Sequence, residues 1–331
     1  MNLLSVENLS VAFPGQVAVR EASFALAPGE TLALVGESGC GKSVTAFSVM
    51  RLLPPNARIA SGRILFEGGD LLAATPAEMR EIRGKRISLI QQEPMTSLNP
   101  VLSIGVQIAE VIRRHEAVSR SAARRRVVEL LDLVSIPDAH RRVDDYPHNL
   151  SGGMRQRVMI AMAVACGPKL LNADEPTTAL DVTTQAQVLD LIDDLRRRLS
   201  MAVLLITHDL GVVAQWADRI AVMYAGRIVE QASIKPFFAT PMHPYSRGLL
   251  GARVEAAADE HYSSNRLNEI PGSVGSAAGE NGCSFAPRCP LVEPGCRAAP
   301  PELMPLADER SVACPITVSS YSSPPLGGEI R

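Results

Sequence analysis

The chain has 331 residues, of which 33 are Lys or Arg and 35 are Asp or Glu, so its formal net charge is −2. This length allows about two domains with a sizeable buried core. The near balance of charge argues against a nucleic-acid groove as the main surface, because such proteins normally carry a basic excess. No stretch reaches the roughly 18 apolar residues of a membrane helix and no charged-then-apolar leader opens the chain, so we expect a soluble protein that reaches a membrane through partners.

A phosphate-binding loop is predicted near the start of the chain. Residues 4–6, 24–26 and 31–35 are strand-like apolar runs, and GESGCGKS at residues 36–43 then matches GxxxxGKS before a helical segment. The glycines let amide N–H groups face phosphates, and the positive end of the helix points at them. The alternative is an ordinary glycine-rich turn. The predicted ATP-binding residues here are Gly36, Glu37, Ser38, Gly39, Cys40, Gly41, Lys42, Ser43 and Val44.

Within this loop, two side chains have specific predicted tasks. Lys42 bridges the β- and γ-phosphates, and the Ser43 hydroxyl holds Mg²⁺. The side chain of Cys40 occupies a tolerant position and is interpreted as a bystander.

The middle of the chain is predicted to be helical. After strands at residues 64–66 and 86–90, helices with apolar faces are predicted at residues 106–118 and 120–134, so residues 95–165 form a helical insertion in the α/β core. A cluster of arginines in it is either a solvated helix face or a contact for anionic lipid headgroups. These are Arg113, Arg114, Arg120, Arg124, Arg125 and Arg126.

A pair of acids closes the next apolar strand, in LLNADEP at residues 170–176. Ligands bind at this carboxyl edge in open α/β sheets. Asp174 is the predicted partner of Mg²⁺, and Glu175 is the predicted base that polarises the attacking water. The alternative is a solvated Asp-Glu pair. Asn172 interrupts this strand and requires a buried hydrogen-bond partner. Residues 202–207, 219–224 and 227–231 continue the predicted sheet.

These segments, in this order, resemble the ATP-binding cassette ATPases of ABC transporters. LSGGMRQ at residues 150–156 is similar to the signature segment of that family, although Met154 stands where the commonest signature has Gln. The resemblance covers most of residues 3–235. It implies an α/β fold of the P-loop NTPase type, with a mixed-sheet cassette at residues 1–235 that hydrolyses ATP with Mg²⁺.

The resemblance also implies roles for residues outside the phosphate loop. Gln92 resembles the Q-loop glutamine that reaches the metal and the water, and His208 resembles the switch histidine at the γ-phosphate. Taken alone, His208 would be interpreted as a structural cap after a strand. Phe13 stands where the family stacks an aromatic ring on adenine, and residues 179–181, ending in Asp181, resemble the D-loop.

The signature implies a second cassette. The segment opens a helix whose amides could receive a phosphate, yet the phosphate loop of the same chain already binds its own nucleotide. By resemblance, two cassettes stack head to tail and each signature closes the pocket of the other. No internal repeat is present, so the second cassette is another copy or a paralogue. The predicted contacts to the ATP of the partner come from Ser151, Gly152, Gly153 and Gln156.

The C-terminal part narrows the resemblance to the oligopeptide, dipeptide and nickel importer branch. TSLNP at residues 96–100, HPY at residues 243–245, IPG at residues 270–272 and CxFxPRCP from residue 283 carry this similarity, although the proline pair usual after IPG is absent. The resemblance implies an importer subunit on the cytoplasmic face of the cell membrane. Its partners would be a second cassette, two permeases and a solute-binding protein, with peptide, nickel, glutathione or another small solute as cargo.

Four of the six cysteines lie in the predicted extension at residues 236–331. Clustered thiols in a cytosolic chain favour metal over disulfide. The spacing lacks the CxxC pairs of common zinc sites and suits a 4Fe-4S cluster, as in relatives of this branch, while zinc and unliganded thiols remain open. Residues 251–282, rich in Ala, Ser and Gly, are predicted to be a partly flexible linker. The four cysteines are Cys283, Cys289, Cys296 and Cys314.

Other classes of protein fit the sequence less well. A soluble ABC ATPase acting on ribosomes would carry two cassettes, and a DNA-repair type would carry a long coiled coil between its motifs. A phosphate-loop kinase would lack the signature.

Overall fold

Two β-sheets organise the chain in a computed structural model that describes residues 2–91, 97–178, 180–252, 270–273 and 281–322. The strands are β1 Leu4–Phe13, β2 Gln16–Leu26, β3 Thr31–Val35, β4 Arg58–Phe66, β5 Gly69–Asp70, β6 Ile87–Ile90, β7 Leu170–Asp174, β8 Ala202–Thr207, β9 Arg219–Tyr224, β10 Arg227–Ser233, β11 Met304–Pro305 and β12 Ser311–Val312. Within the described ranges, one sheet has the order β2-β1-β4-β5 and the other the order β11-β12-β10-β9-β3-β8-β7-β6.

Helices cover the larger sheet and fill the segment between β6 and β7. They are α1 Lys42–Met50, α2 Pro76–Ile82, α3 Ile104–His115, α4 Arg120–Leu133, α5 Ala139–Arg142, α6 Gly152–Val164, α7 Val182–Leu199, α8 Leu210–Trp216, α9 Ile234–Ala239, α10 Pro244–Gly251 and α11 Pro315–Ser322. None of the helices in the described ranges combines the length and the apolarity that a membrane span needs.

The parallel strands β3, β8, β7 and β6 are consecutive neighbours in the larger sheet, with β6 at its edge. Every residue of β3, β7 and β8 is buried, as expected for strands covered on both faces. The register pairs Val35 with Thr207 and Asp174 with Ile206, so these three strands end at the same edge. The segments that follow them, starting at Gly36, Glu175 and His208, therefore begin side by side.

Asn172 is a buried amide within these strands. It is fully buried in β7, and its Nδ2 donates to the carbonyl oxygen of Ala46 in α1 at 3.5 Å. Its Oδ1 has no hydrogen-bond partner among the described residues. The hydrogen-bond partner that the sequence requires for Asn172 is therefore present for its Nδ2 donor.

The strands of the antiparallel sheet are longer than the apolar runs of the sequence predict. β1, β2 and β4 extend well beyond residues 4–6, 24–26 and 64–66, and the β1–β2 and β1–β4 pairings contain several register shifts. Such shifts break the strict alternation of buried and exposed residues from which a strand is recognised in a sequence. The sequence pattern therefore detects only the ends of these strands.

The insertion helices α3, α4 and α6 share one apolar core with α7 and with the face of β6, β7 and β8 that packs against them. Ser103 and Ser119 cap α3 and α4, each accepting a backbone N–H from three residues further on. Both helices occupy nearly the predicted ranges because their capping residues and apolar faces agree.

Three of the clustered arginines have acidic partners on this insertion or beside it. Arg124 donates two hydrogen bonds to Asp144, Arg126 pairs with Glu116, and Arg114 lies 3.8 Å from Glu81. Exposed pairs of this kind contribute about 0–1 kcal/mol each. These contacts support the solvated-face interpretation of the cluster.

The C-terminal extension continues the sheet of the cassette. β12 pairs antiparallel with β10, with Val312 opposite Glu230, and β11 pairs with β12. The Glu230 carboxylate is buried, and it accepts the N–H groups of Met242 and His243 and faces Arg310 at 3.4 Å. Most of the linker predicted at residues 251–282 lies outside the described residues.

Candidate active site

The phosphate loop, residues 36–43, leaves the end of β3 and enters α1. Two of its glycines are required by close approach of other backbone. A Cβ on Gly36 would lie 2.1 Å from the carbonyl oxygen of Met223, and a Cβ on Gly41, where φ is +107°, would lie 2.6 Å from that of Ala18. The loop is thus held between β9 and β2, and no larger residue fits at these two positions.

Lys42 folds back over the loop. Its Nζ donates to the carbonyl oxygens of Gly36 at 2.7 Å and Glu37 at 3.1 Å, and the residue is almost fully buried. A buried ammonium beside a ring of backbone amides makes a site for an anion. Burial raises the pKa of the neighbouring Cys40 thiol, which stays neutral and offers no charge to a ligand.

Ser43 and Asp174 meet at the mouth of the loop. The Ser43 hydroxyl donates to Asp174 Oδ1 at 3.1 Å, and Asp174 is only 3% exposed. Burial raises the pKa of the Asp174 carboxyl, an effect that the hydrogen bond from Ser43 partly opposes. A hydroxyl and a buried carboxylate are hard oxygen donors of the kind Mg²⁺ prefers, so these residues fit that ion. Gln92, the third predicted metal contact, lies outside the described residues.

Glu175 and His208 face each other beside this pair. The Nδ1 of His208 lies 3.1 Å from Glu175 Oε1, and Thr178 donates to Oε2 at 2.9 Å. Burial raises the pKa of the Glu175 carboxyl, but the hydrogen bonds with His208 and Thr178 outweigh it and lower the pKa overall. The carboxylate therefore stays ionised at neutral pH, as a base must. Its backbone has φ of +44°, in the left-handed region that a non-glycine residue adopts only at a cost.

Phe13 ends β1 and is half-buried, just before the turn into β2. The same hairpin touches the phosphate loop through Ala18. This location is compatible with the predicted stacking on adenine, which stays a prediction.

The tip of the signature segment, residues 150–156, points outward. Ser151 caps α6 by accepting the N–H of Met154 at 3.3 Å, and Ser151 and Gly152 are exposed. A Cβ on Gly153 would lie 2.8 Å from Thr184 Cγ2, so this glycine lets α6 approach α7 closely. The N-terminus of α6 is accessible to another molecule.

Gln156 differs from its prediction. It is 1% exposed, and its Nε2 donates to the carbonyl oxygen of Pro176, directly after Glu175. This buried position contradicts the predicted contact of the side chain with the nucleotide of a partner. Gln156 instead ties α6 to the segment that follows β7 and contains Glu175.

Asp181 caps α7. Its carboxylate accepts the Thr184 N–H at 3.0 Å and the Thr184 hydroxyl at 2.7 Å, and these hydrogen bonds lower the pKa of the exposed carboxyl. A local capping role therefore accompanies the predicted D-loop role. Ala179 lies outside the described residues.

Comparisons with known proteins find similarity along most of the chain. A model of the ABC transporter family matches residues 19–178, and one described as the oligopeptide/dipeptide transporter C-terminal region matches residues 229–296. A probable peptide ABC transporter ATP-binding protein of Sinorhizobium fredii is 51% identical, over 94% of each chain. The dipeptide transport ATP-binding protein DppD of Bacillus subtilis is 50% identical, again over 94% of each chain.

The chain belongs to the ABC transporter family, as an ATP-binding subunit. The ABC cassette fold is confirmed by solved structures. CbiO1 of Clostridium perfringens is similar with a TM-score of 0.63 and 27% identity, covering 72% of this chain and 91% of that one. A bacterial ABC transporter cassette solved as a dimer gives a TM-score of 0.62 and 25% identity, covering 70% and 98%. The predicted ATPase activity agrees with this membership.

Two contacts of this ABC cassette were not predicted from the sequence. Arg288 and Tyr245, both in the extension, contact Glu37 of the phosphate loop. The CxFxPRCP and HPY motifs contain these two residues, but a pattern does not reveal a contact across more than two hundred residues. Thr178 was also missed, although its position three residues after Glu175 is a common spacing for a side-chain hydrogen bond.

The four cysteines of the extension line one cavity of about 210 Å³, together with Phe285 and several prolines. All four are free thiols. Burial raises the pKa of the Cys283 and Cys289 thiols, and the neighbouring thiols raise it further. Among the described residues, no three His, Cys, Asp or Glu side chains form a group suited to a metal ion.

Proposed function

We propose that this chain is the ATP-hydrolysing subunit of an importer for peptides or related small solutes. One observation carries the catalytic part: Ser43 with Asp174, and Glu175 with His208, meet as two hydrogen-bonded pairs at the mouth of the phosphate loop. Relatives named for peptide and dipeptide transport support the solute class. An ABC ATPase without coupling to transport is not favoured, because the C-terminal region matches that of oligopeptide and dipeptide transporters.

In this proposal, the loop amides and Lys42 bind the β- and γ-phosphates. Ser43, Asp174 and Gln92 would hold Mg²⁺, which neutralises the charge that develops on the phosphates. Glu175 polarises the attacking water. The His208 side chain is 68% exposed, so it is free to turn from Glu175 towards the γ-phosphate when ATP enters.

The accessible signature supports a site shared between two cassettes. Ser151 and Gly152 are exposed, and a 25% identical cassette was solved as a dimer. We propose that Ser151, Gly152 and Gly153 contact the nucleotide bound by a second cassette, with Asp181 at the same interface. That cassette is another copy of this chain or a paralogue.

The remaining partners follow from the same proposal. Residues 1–235 would form the cassette, with its helical subdomain at about residues 95–165, and residues 236–331 the extension. Two permeases and a solute-binding protein would complete the importer, with this subunit attached peripherally at the cytoplasmic face of the membrane. Peptides are the favoured solutes because relatives that share about half of the sequence are named for them.

We propose that the four cysteines of the extension hold an iron–sulfur cluster, with zinc as the alternative. Each thiolate of a 4Fe-4S cluster binds a different iron, so its ligands lie farther apart than those of a single ion. In this structure the four thiols line a cavity of about 210 Å³, and this shared lining is the observation behind the proposal. When bound, such a cluster would supply a redox-sensitive centre, held by Cys283, Cys289, Cys296 and Cys314.

Metal analysis of anaerobically purified chain tests the cluster. We expect iron and acid-labile sulfide in the wild type, their loss in Cys296→Ser, and their retention in Cys166→Ser, whose thiol lies outside the cavity. Bound zinc, or neither metal nor sulfide in the wild type, would contradict the cluster.

Reconstitution in proteoliposomes with the permeases tests the transport function. We expect ATP hydrolysis to be stimulated by binding protein loaded with peptide, and labelled peptide to accumulate only while Glu175 is intact. Hydrolysis that ignores both permeases and peptide would identify an uncoupled ATPase instead.

A further inference from the structure

We propose that Arg288 is a positioning residue for ATP: it holds Glu37, and through Glu37 the C-terminal extension sets the affinity of the phosphate loop for nucleotide. This inference rests on the proposed function of that loop as the MgATP site. It assigns to the extension a direct part in nucleotide binding.

Arg288 is fixed on every side. Its Nη1 lies 3.0 and 3.1 Å from the two carboxylate oxygens of Glu37, and its side chain is only 4% exposed. Its Nε donates to the carbonyl oxygen of Pro271 at 2.7 Å and its Nη2 to that of Ile270 at 3.1 Å. The guanidinium also lies over the ring of Tyr224, 5.7 Å from the centroid. A planar group with this many partners has one orientation, and that orientation aims it at the loop.

Tyr245 holds the same loop residue by its backbone. The Glu37 N–H donates to the Tyr245 hydroxyl oxygen at 2.9 Å. Tyr245 is fully buried, and its ring packs against Tyr224 at 4.7 Å and Phe285 at 5.4 Å between centroids. The extension therefore grips Glu37 at two points with rigid aromatic and planar groups.

Glu37 passes this constraint to the phosphate-binding lysine. Its carbonyl oxygen accepts a hydrogen bond from Lys42 Nζ at 3.1 Å, so the N–H, the carbonyl and the carboxylate of Glu37 are all engaged. A shift of Glu37 would move one of the two carbonyls that position Lys42 in the described structure. Holding this segment in place before ATP arrives lowers the ordering cost of binding.

The alternative is that the Arg288–Glu37 pair only stabilises the fold of the extension. A second ion pair in the extension provides a matched control for this alternative. Arg310 pairs with the buried Glu230, where the two side chains are 6% and 1% exposed. This second buried pair fastens the extension to β10 without touching the phosphate loop. Losing either pair should destabilise the extension, but only the loss of the Arg288 pair should alter nucleotide affinity.

Nucleotide titrations of the full chain test the proposal. We measure the dissociation constant of MgATP, by competition with a fluorescent analogue, for the wild type, Arg288→Gln, Glu37→Gln, Tyr245→Phe, the Arg288→Gln/Glu37→Gln double variant and Arg310→Gln. Unfolding by urea is followed for each. We expect Arg288→Gln and Glu37→Gln to weaken binding about ten-fold. The double variant should be no weaker than the worse single one, because both remove the same interaction.

Steady-state kinetics in the assembled transporter add a second readout. The KM for ATP should rise in Glu37→Gln while kcat at saturating ATP stays close to wild type, because the change affects binding and leaves Glu175 in place. Should Arg288→Gln fail to fold, the MgATP dissociation constants of Glu37→Gln and Tyr245→Phe still test whether the contacts to Glu37 set the affinity.

Wild-type affinity in folded Arg288→Gln and Glu37→Gln would overturn the inference, and so would an equal loss in Arg310→Gln. A wild-type chain that binds no MgATP would instead overturn the proposed function itself.

Discussion

The phosphate loop and the signature segment both contain glycines and both lead into a helix. They differ in how far the rest of the chain encloses them. The phosphate loop is enclosed by backbone from β9 and β2 and gripped by Tyr245 and Arg288. The signature tip is exposed, and the capping bond of Ser151 comes from its own helix. The phosphate loop is therefore held in place by contacts within the chain. The signature tip instead exposes the backbone groups at the start of α6 to solvent.

This difference separates two kinds of function. Changes in the phosphate loop should act on the isolated chain, because its contacts are internal. Changes at the signature tip should act only when a second cassette is present.

The Glu175→Gln variant should lose hydrolysis by a factor of about 10²–10⁴ while keeping ATP binding, since a positioned base contributes that much to the rate. With the proper partner and ATP, it should accumulate a closed dimer, detectable by size-exclusion chromatography. Phosphate release in the assembled transporter measures the rate. Wild-type turnover would remove Glu175 from the role of base.

The Lys42→Ala variant should weaken MgATP binding by about 10- to 150-fold in the isolated chain, because a hydrogen bond to a charged group contributes about 1.5–3 kcal/mol. Titration of the folded variant measures this. Lys169→Ala is the matched control: Lys169 is an exposed lysine that pairs with Glu67 on the surface. An unchanged dissociation constant in Lys42→Ala would mean that the phosphates bind elsewhere.

The Gly152→Glu variant should leave MgATP binding to the isolated chain unchanged and lower hydrolysis by the assembled transporter about ten-fold or more. A Cβ at Gly152 would have Leu180 Cδ2 as its nearest neighbour, at 3.8 Å, so the folded chain accommodates a side chain there. The added carboxylate would repel the phosphates bound by a partner. Gly251→Glu, at a position with nothing within 4 Å, is the control for an added charge. Equal hydrolysis by both variants would end the shared-site proposal.

Acidification should weaken folding through His243, with the smallest effect of the series. Burial, with a smaller contribution from Arg247, lowers the pKa of His243 to about 3, while its ordinary value is 6.5. Above pH 6.5 the His243 side chain is mostly neutral in both the folded and the unfolded chain. Below it the unfolded chain takes up a proton that the folded chain refuses, so stability falls as the pH falls towards 3.

Urea unfolding at pH 7.5 and pH 5.5 measures this dependence. The wild type should lose about 1.4 kcal/mol more than His243→Asn between these values, since one pH unit below the unfolded pKa corresponds to that energy. Asn retains an acceptor for the Tyr245 N–H, which His243 Nδ1 accepts at 3.1 Å. Parallel pH curves for the two proteins would assign the acid sensitivity to other groups.

The central sheet and the hydrolytic pairs could be predicted from the sequence because local signals coincide there. β3, β8 and β9 have the predicted bounds, since buried parallel strands are continuous apolar runs between clear turns. The motifs then place Asp174, Glu175 and His208 at the ends of β7 and β8, and Ser43 at the start of α1, after the loop that follows β3. Pattern and spacing are sufficient when each residue lies at a strand end or a short loop away from one.

The parts that were missed depend on distant contacts. Gln156 was predicted to face a partner because it belongs to the signature, but one helical turn after Gly152 it faces the interior and reaches Pro176. The grip of Arg288 on Glu37 joins residues 251 positions apart. Neither outcome can be derived from local periodicity, because both depend on how separate elements pack.

The pairing of β12 with β10 has a consequence for fragments of this protein. Cutting the chain after residue 235 would remove β12 from β10, leave backbone groups on that side of β10 unbonded, and take Arg310 away from Glu230. Open strands of this kind recruit other strands, so such a fragment is expected to self-associate. The function of the C-terminal extension is therefore better tested by point substitutions within it than by its deletion.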